Sequence, residues 1–477
     1  VFPPDEGAAR TSDKEMKSVR AKKIHRKLIY FCCVKQPSLS RFNPECMKKA
    51  VLLFIAVSTI CFAASAENPK QYLVSYELVK AHTSATIKAL WKSKSIPKMI
   101  MPVKNGVDVY EIIYRVQWVD STWRTASGIY YVPKTDEAVP YMMFGHGTQI
   151  QKHRDISDGD AQQNICLMFA TDGYAAMFPD YYGIGKGEGN HLYQHAWSEA
   201  YSFIYMLYAV DELNKTLNLK HNGQLFLTGY SQGGHASMAA HKYIEALNDP
   251  RFQVTASSPM SGAYDMTGEQ EKYMFQEYPR PFYLPYLLLS YQEAYGILET
   301  DNPYSAFKTP FDTLFPPFFE RNDRRTLDEL NALLPKIPKD VISDTMLYQY
   351  LNNPDFEFKK RLIENNLTSW KPEAPMQLCY CKGDREVNYK NSEVAYAAMK
   401  ALGVKDVKLN NLSDELDHNT CAAFAVLSTK YFFNRYKEKG KNPKMKGVPG
   451  FKKFLVGFVK RKEEKKYKKN GNDSAYI

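Results

Sequence analysis

The sequence predicts an α/β architecture: a mostly parallel sheet flanked by helices on both faces, with a helical cap inserted late in the chain. Three observations carry this. Short apolar runs at 141–144, 175–178, 224–228, 252–257, 376–381 and 404–409 are strand-like, and several end in Gly, Asp or Pro. Helical patterns at 159–171, 198–217, 232–247, 391–402 and 420–436 alternate with them. Continuous apolar strands between amphipathic helices are the pattern of a parallel sheet buried on both sides. The third observation is an interruption at about 264–375, rich in Tyr, Phe, Pro and Leu, with helical stretches at 282–297, 326–335 and 339–351. Lying between two core strands, it is expected to form a cap over their carboxyl ends, where ligands of such sheets bind. Most of its aromatics are expected to be the cap's own core, and some to roof a pocket.

Taken from the start, residues 1–46 are basic and irregular, and are expected to be over-extended sequence preceding the true start of translation. Met47 opens a different pattern: Lys48-Lys49, an apolar run over 50–64, and Ala64-Ser65-Ala66 before Glu67. A charged start, a short apolar stretch and an A-x-A site read as a secretory signal peptide over 47–66. The run is short for a membrane span, so no stable span is expected in the mature chain, which would be periplasmic or secreted. Residues 109–118 and 125–132 then alternate apolar and polar side chains, as paired antiparallel strands do.

The densest motif follows the strand at 224–228. Gly229-Tyr230-Ser231-Gln232-Gly233 is a G-x-S-x-G turn with a helical pattern directly behind it. Strand, turn and helix in that order are the context in which this motif presents a serine nucleophile on a strained corner. A serine hydroxyl is a weak nucleophile near neutral pH and needs a base, itself oriented by a carboxylate. His221 precedes the corner, and His235 and His241 lie on the helix behind it, which leaves His418 in the loop at 414–420 as the base. The strand at 376–381 ends in Gly383-Asp384, so Asp384 is expected to orient His418, with Asp265 as the alternative. Asp417 is too close in sequence to orient its neighbour and is expected to cap the last helix. Two oxyanion donors are also required. The N–H of Gln232 is one; the loop Gly145-His146-Gly147-Thr148 supplies the other, from Thr148 first and Gly147 second. His146 is expected to make a structural hydrogen bond.

Taken with the segment Phe178-Pro179-Asp180-Tyr181-Tyr182-Gly183-Ile184-Gly185, these motifs over about 105–436 resemble the α/β-hydrolase superfamily, and within it the secretory-lipase-like branch of exported esterases and lipases. The resemblance implies the α/β-hydrolase fold over 67–436, and hydrolysis of a small-molecule or lipid ester through an acyl-enzyme on Ser231. It implies no cofactor, and that Asp180-Tyr181 flanks the pocket without reacting. Residues 437–477 have no place in that pattern. Peptidase, amidase or acyltransferase chemistry on the same triad is the alternative, and a non-catalytic binding protein on the same scaffold a more distant one.

Charge and cysteines bound the partners. The chain carries 63 Lys and Arg against 52 Asp and Glu, but 14 of the basic residues lie in 437–477 and 12 in 1–66. The body between is acidic, so no nucleic-acid face is expected. The tail is expected to be flexible, although a weakly amphipathic stretch at 451–459 with flanking lysines could touch an anionic surface. Export makes disulfides possible. Cys379 or Cys381 could pair with Cys421 and tie the acid and base loops together, with free buried thiols as the other reading. No metal site is expected, since no histidine stands at ligand spacing beside these cysteines.

Overall fold

The computed structural model describes residues 71–96, 101–298, 302–319, 324–437 and 450–470; the expected over-extended segment and signal peptide lie outside them. Nine strands form one sheet in the order β1-β2-β3-β5-β4-β6-β7-β8-β9. β1 (Leu73–His82), β2 (Val107–Gln117) and β3 (Trp123–Pro133) are antiparallel, and β3 runs antiparallel to β5 (Ala175–Pro179). From β5 onward, through β4 (Val139–Gly145), β6 (His221–Tyr230), β7 (Val254–Met260), β8 (Met376–Tyr380) and β9 (Val407–Asn411), every pairing is parallel.

Burial explains the two textures seen in the sequence. β4, β5 and β8 are buried at every position, whereas β2 alternates along much of its length. Helices α1 (Ser84–Ser93), α2 (Ala161–Thr171), α3 (Ala196–Leu217) and α4 (Gln232–Leu247) precede the insertion. Local chemistry starts them: Thr83 caps α1, and the Asp160 carboxylate accepts the Gln162 and Gln163 amides at the head of α2. One core joins α2 to Phe144, Phe178 and Phe226, and a second joins α3 and α4 to Tyr141, Met177 and Leu227.

The insertion between β7 and β8 is helical, with α5 (Tyr283–Tyr295), two single turns (Phe311–Leu314 and Pro316–Phe319), α6 (Leu327–Ala332), α7 (Asp344–Asn352) and α8 (Glu357–Glu364). Phe282, Tyr286, Phe315, Phe318 and Phe358 do form a core of its own. That core continues into Ile150, Tyr193 and Val387 of the body, so the cap sits on the loops that follow β4, β5 and β8.

After the cap come α9 (Lys390–Ala401), α10 (His418–Lys437) and α11 (Gly450–Asn470). Asp417 Oδ1 accepts the Thr420 amide at 2.8 Å at the head of α10. Where a flexible tail is expected, α11 is a helix that packs on the core through Val456 and Tyr467 and meets the loop between β9 and α10 through Lys460 and Glu464. No helix among the described residues is long and apolar enough to cross a membrane.

Candidate active site

Three strand ends meet at the site. β6 runs straight into α4, and the single residue between them, Ser231, has φ 61° and ψ −120°. A non-glycine residue there is strained, and such strain persists only where its surroundings over-determine it. The flanking glycines show how. A Cβ on Gly233 would lie 1.9 Å from the Gly145 carbonyl oxygen, and one on Gly229 would lie 2.2 Å from that of Gly233. The head of α4 is thus pressed against the end of β4, and Ser231 takes up the sharp bend. Gly233→Ala is accordingly expected to cost about 1–3 kcal/mol or more. Denaturant melts of the variant beside a surface control such as Gly457→Ala, where an added Cβ meets nothing within 4 Å, check this.

The loop after β4 lies alongside the serine: a Cβ on Gly147 would be 3.8 Å from Ser231 Cβ. Of the two amides expected from this loop, the Gly147 N–H donates to Gln162 Oε1 at 2.7 Å and is thus engaged by the capping turn of α2. The amides of Thr148 and Gln232 meet no acceptor among the described residues. Thr148 Oγ1 donates instead to Tyr193 at 3.1 Å. His146 is buried, with Nδ1 2.7 Å from the Gly147 carbonyl oxygen, and burial pushes its imidazole below the ordinary histidine range.

The acid and base loops face each other. His418 opens α10, and its Nδ1 lies 2.6 Å from Asp384 Oδ2 with both side chains buried. Asp384 Oδ1 accepts the amides of Glu386 and Val387, each at 2.9 Å, which fixes the carboxylate's direction. Asp265, the alternative acid, accepts the Glu269 amide within its own turn. Cys381 and Cys421 form a disulfide with Cα atoms 6.0 Å apart, while Cys379 and Cys166 are free and buried. Lys382 N–H also donates to the Ser413 carbonyl at 2.8 Å, so the two loops are held by a covalent and a backbone tie. Tyr230, the residue before the serine, packs its ring 4.9 Å from the imidazole and donates its hydroxyl to the His418 carbonyl at 2.6 Å. The serine's nearest neighbour in the chain is therefore in contact with the histidine.

Burial alone would lower the His418 pKa. The charge and hydrogen bond of Asp384 override it, with help from Glu386 and Asp417, and push the value up to about 9. A base must be neutral to accept a proton, so kcat/KM should rise with pH along a limb centred toward 9. A pH–rate profile on a soluble ester checks this, and a limb near 6.5 contradicts it. The same linkage gives a stability term present in full below about 6.5 and lost as pH rises through the folded value.

Other polar residues surround the site, and the contacts of most of them carried no sequence signal. Gln232 Nε2 is held 2.8 Å from Glu199 Oε1 and 2.7 Å from His191 Nε2, and Glu199 Oε2 in turn meets His235 Nδ1 at 2.6 Å. This buried network steadies the residue whose backbone amide faces the site. Asp180 pairs with buried Arg154 and accepts the Ser127 hydroxyl, so it is a structural anion next to the site. Tyr181 donates to the His146 carbonyl at 2.9 Å. Above, Tyr278 donates to the Glu386 carbonyl at 2.7 Å and Arg280 Nε lies 3.2 Å from Glu386 Oε1, joining the cap to the acid loop. A cavity of about 70 Å³ beneath the cap is lined by Tyr193, Tyr273, Tyr278, Tyr283, Met266 and Leu287, and Tyr193 connects it to Thr148. No cluster of three or more His, Cys, Asp or Glu suited to a metal occurs among the described residues.

No protein-family model and no curated relative matches the sequence. Solved structures do. A Legionella pneumophila protein described as a hydrolase is 27% identical with a TM-score of 0.69, covering 77% of this chain and 99% of its own. LipA of Xanthomonas oryzae, described as a rice cell wall degrading esterase, is 27% identical with a TM-score of 0.66, covering 76% of this chain and 96% of its own. Candida antarctica lipase A, at 13% identity and a TM-score of 0.59 over 80% of this chain and 86% of its own, shares the fold.

Proposed function

We propose, from the premise that this chain is a member of the α/β-hydrolase superfamily similar to its lipases and esterases, that it is an exported serine hydrolase of carboxylic esters. The observation that carries the reading is the buried Asp384–His418 pair at 2.6 Å, packed against Tyr230 beside a serine of positive φ. In this mechanism His418 takes the Ser231 proton as the hydroxyl oxygen attacks the ester carbonyl carbon, and Asp384 stabilises the imidazolium that forms. The developing oxyanion is met by the amides of Gln232 and Thr148. Collapse expels the alcohol, protonated by His418, and leaves an acyl group on Ser231. Water, deprotonated by the same imidazole, then releases the acid and restores the serine.

Export is supported by the charged start, apolar run and A-x-A site at 47–66, and by the Cys381–Cys421 disulfide, which suits an oxidising compartment. The substrate class is tested by comparing p-nitrophenyl esters of increasing acyl length with aminoacyl p-nitroanilides. Turnover of esters with inert anilides is expected. Preferential cleavage of anilides would replace this reading with a peptidase, and a folded chain inert to both would remove the hydrolase assignment.

A further inference from the structure

The acidic body carries one strongly basic element, α11, which holds nine Lys and Arg and two Glu within Gly450–Asn470. Its inner face is committed. Val456 and Tyr467 pack on the core, Lys460 Nζ donates to the Leu412 carbonyl at 2.5 Å, and Glu464 accepts the Ser413 hydroxyl at 2.6 Å. Tyr467 and Thr420 share a hydrogen bond of 2.7 Å, and Lys468 lies 3.2 Å from Glu415. Every one of these partners belongs to the loop that leads into His418, or to the first turn after it.

At about 100° per residue, Phe458, Arg461, Lys462 and Lys465 fall on the opposite face. Phe458 is 58% exposed and its neighbour Val459 48%. Both acidic residues of the helix are already paired, Glu463 with Lys466 and Glu464 with Lys460. The outer cations Arg461, Lys462 and Lys465 have no carboxylate partner among the described residues. A helix serving only as a solvated strap would have no reason to leave a phenylalanine such as Phe458 exposed. Here Phe458 stands outside, among cations, while Tyr467 and Val456 fill the inner face.

We propose that the outer face of α11 is a docking surface for anionic lipid headgroups, with Phe458 entering the headgroup boundary, Val459 at the flank of that face, and Arg461, Lys462 and Lys465 engaging the negative charge. An exposed aromatic flanked by cations matches both parts of an interfacial helix, apolar insertion and electrostatic attraction. Nucleic acid would use the cations and leave Phe458 idle. Docking through this face would bring the loop that leads into His418 close to a lipid interface, but the surface stands independently of the catalytic assignment.

The test is co-sedimentation of the full chain with vesicles of phosphatidylcholine alone and of phosphatidylcholine mixed with phosphatidylglycerol, at low and high salt. Binding is expected only to the mixed vesicles and weakens with salt. The combined Arg461→Glu, Lys462→Glu and Lys465→Glu variant should lose about 100-fold in partition, and Phe458→Ser about tenfold. Thermal melts confirm that both variants fold. No binding to the mixed vesicles at low salt overturns the proposal, as does binding that the charge reversals leave intact. Equally tight binding of double-stranded DNA that is insensitive to Phe458→Ser would assign the face to nucleic acid instead.

Discussion

Ser231→Ala is expected to lower kcat on a soluble ester by about 10⁶-fold, with little change in KM and no loss of stability. The size follows from the proposed path: without the hydroxyl no acyl-enzyme forms, and only water attack assisted by the oxyanion donors remains. Stability should hold because the Ser231 side chain caps no helix, and alanine at φ 61° carries strain of the same kind as serine. The backbone contacts that set the corner, Ser231 N–H to the Met260 carbonyl at 3.0 Å and Gly234 N–H to the Ser231 carbonyl at 2.8 Å, survive the change. Steady-state kinetics and a thermal melt on the same preparation check both halves. Activity within tenfold of the parent would place the chemistry elsewhere.

The second large effect belongs to Asp384→Asn, expected to cost about 10⁴-fold in kcat. An asparagine can keep its carbonyl oxygen on the Glu386 and Val387 amides, where Asp384 Oδ1 now accepts two bonds of 2.9 Å. Its amide nitrogen then faces His418 Nδ1, which must become an acceptor. The ring proton moves to Nε2, the atom that should receive the serine proton. The variant also loses the charge that overrides burial and raises the His418 pKa to about 9. The residual activity should therefore show its rising limb at lower pH than the parent. A purely structural role for Asp384 would lower activity through unfolding and leave the limb in place, so the pH profile separates the two.

Much of this site was legible because its chemistry is local. The corner at Gly229-Tyr230-Ser231-Gln232-Gly233 needs two residues without side chains, and contacts of 1.9 and 2.2 Å at hypothetical Cβ atoms show why. The expectation of Asp384 and His418 rests on strand ends and order along the chain, which a parallel sheet enforces, and the two side chains meet at 2.6 Å. What the sequence hid is non-local. Nothing near Gly147 signals that Gln162, on the next helix, takes its amide. Glu199, His191 and His235 read as ordinary helix and loop residues until α3 and α4 pack together around Gln232. β1 was missed because it is an edge strand whose apolar residues Val74, Tyr76 and Leu78 face outward, so no core pattern marks it. Its start is held by Glu212, which accepts the Tyr72 and Leu73 amides from far along the chain. The tail reads as disordered because lysines dominate it. Its helix forms around four inward positions, Val456, Lys460, Glu464 and Tyr467, spaced three and four apart.

The central claim is that one hydroxyl, on Ser231, is made nucleophilic by His418. Mass spectrometry after reaction with a small fluorophosphonate tests it most directly. A single adduct is expected, mapping to the peptide that contains Ser231, absent in Ser231→Ala and strongly slowed in His418→Ala. A folded chain that takes up no label, or one labelled to the same extent after Ser231→Ala, would contradict it.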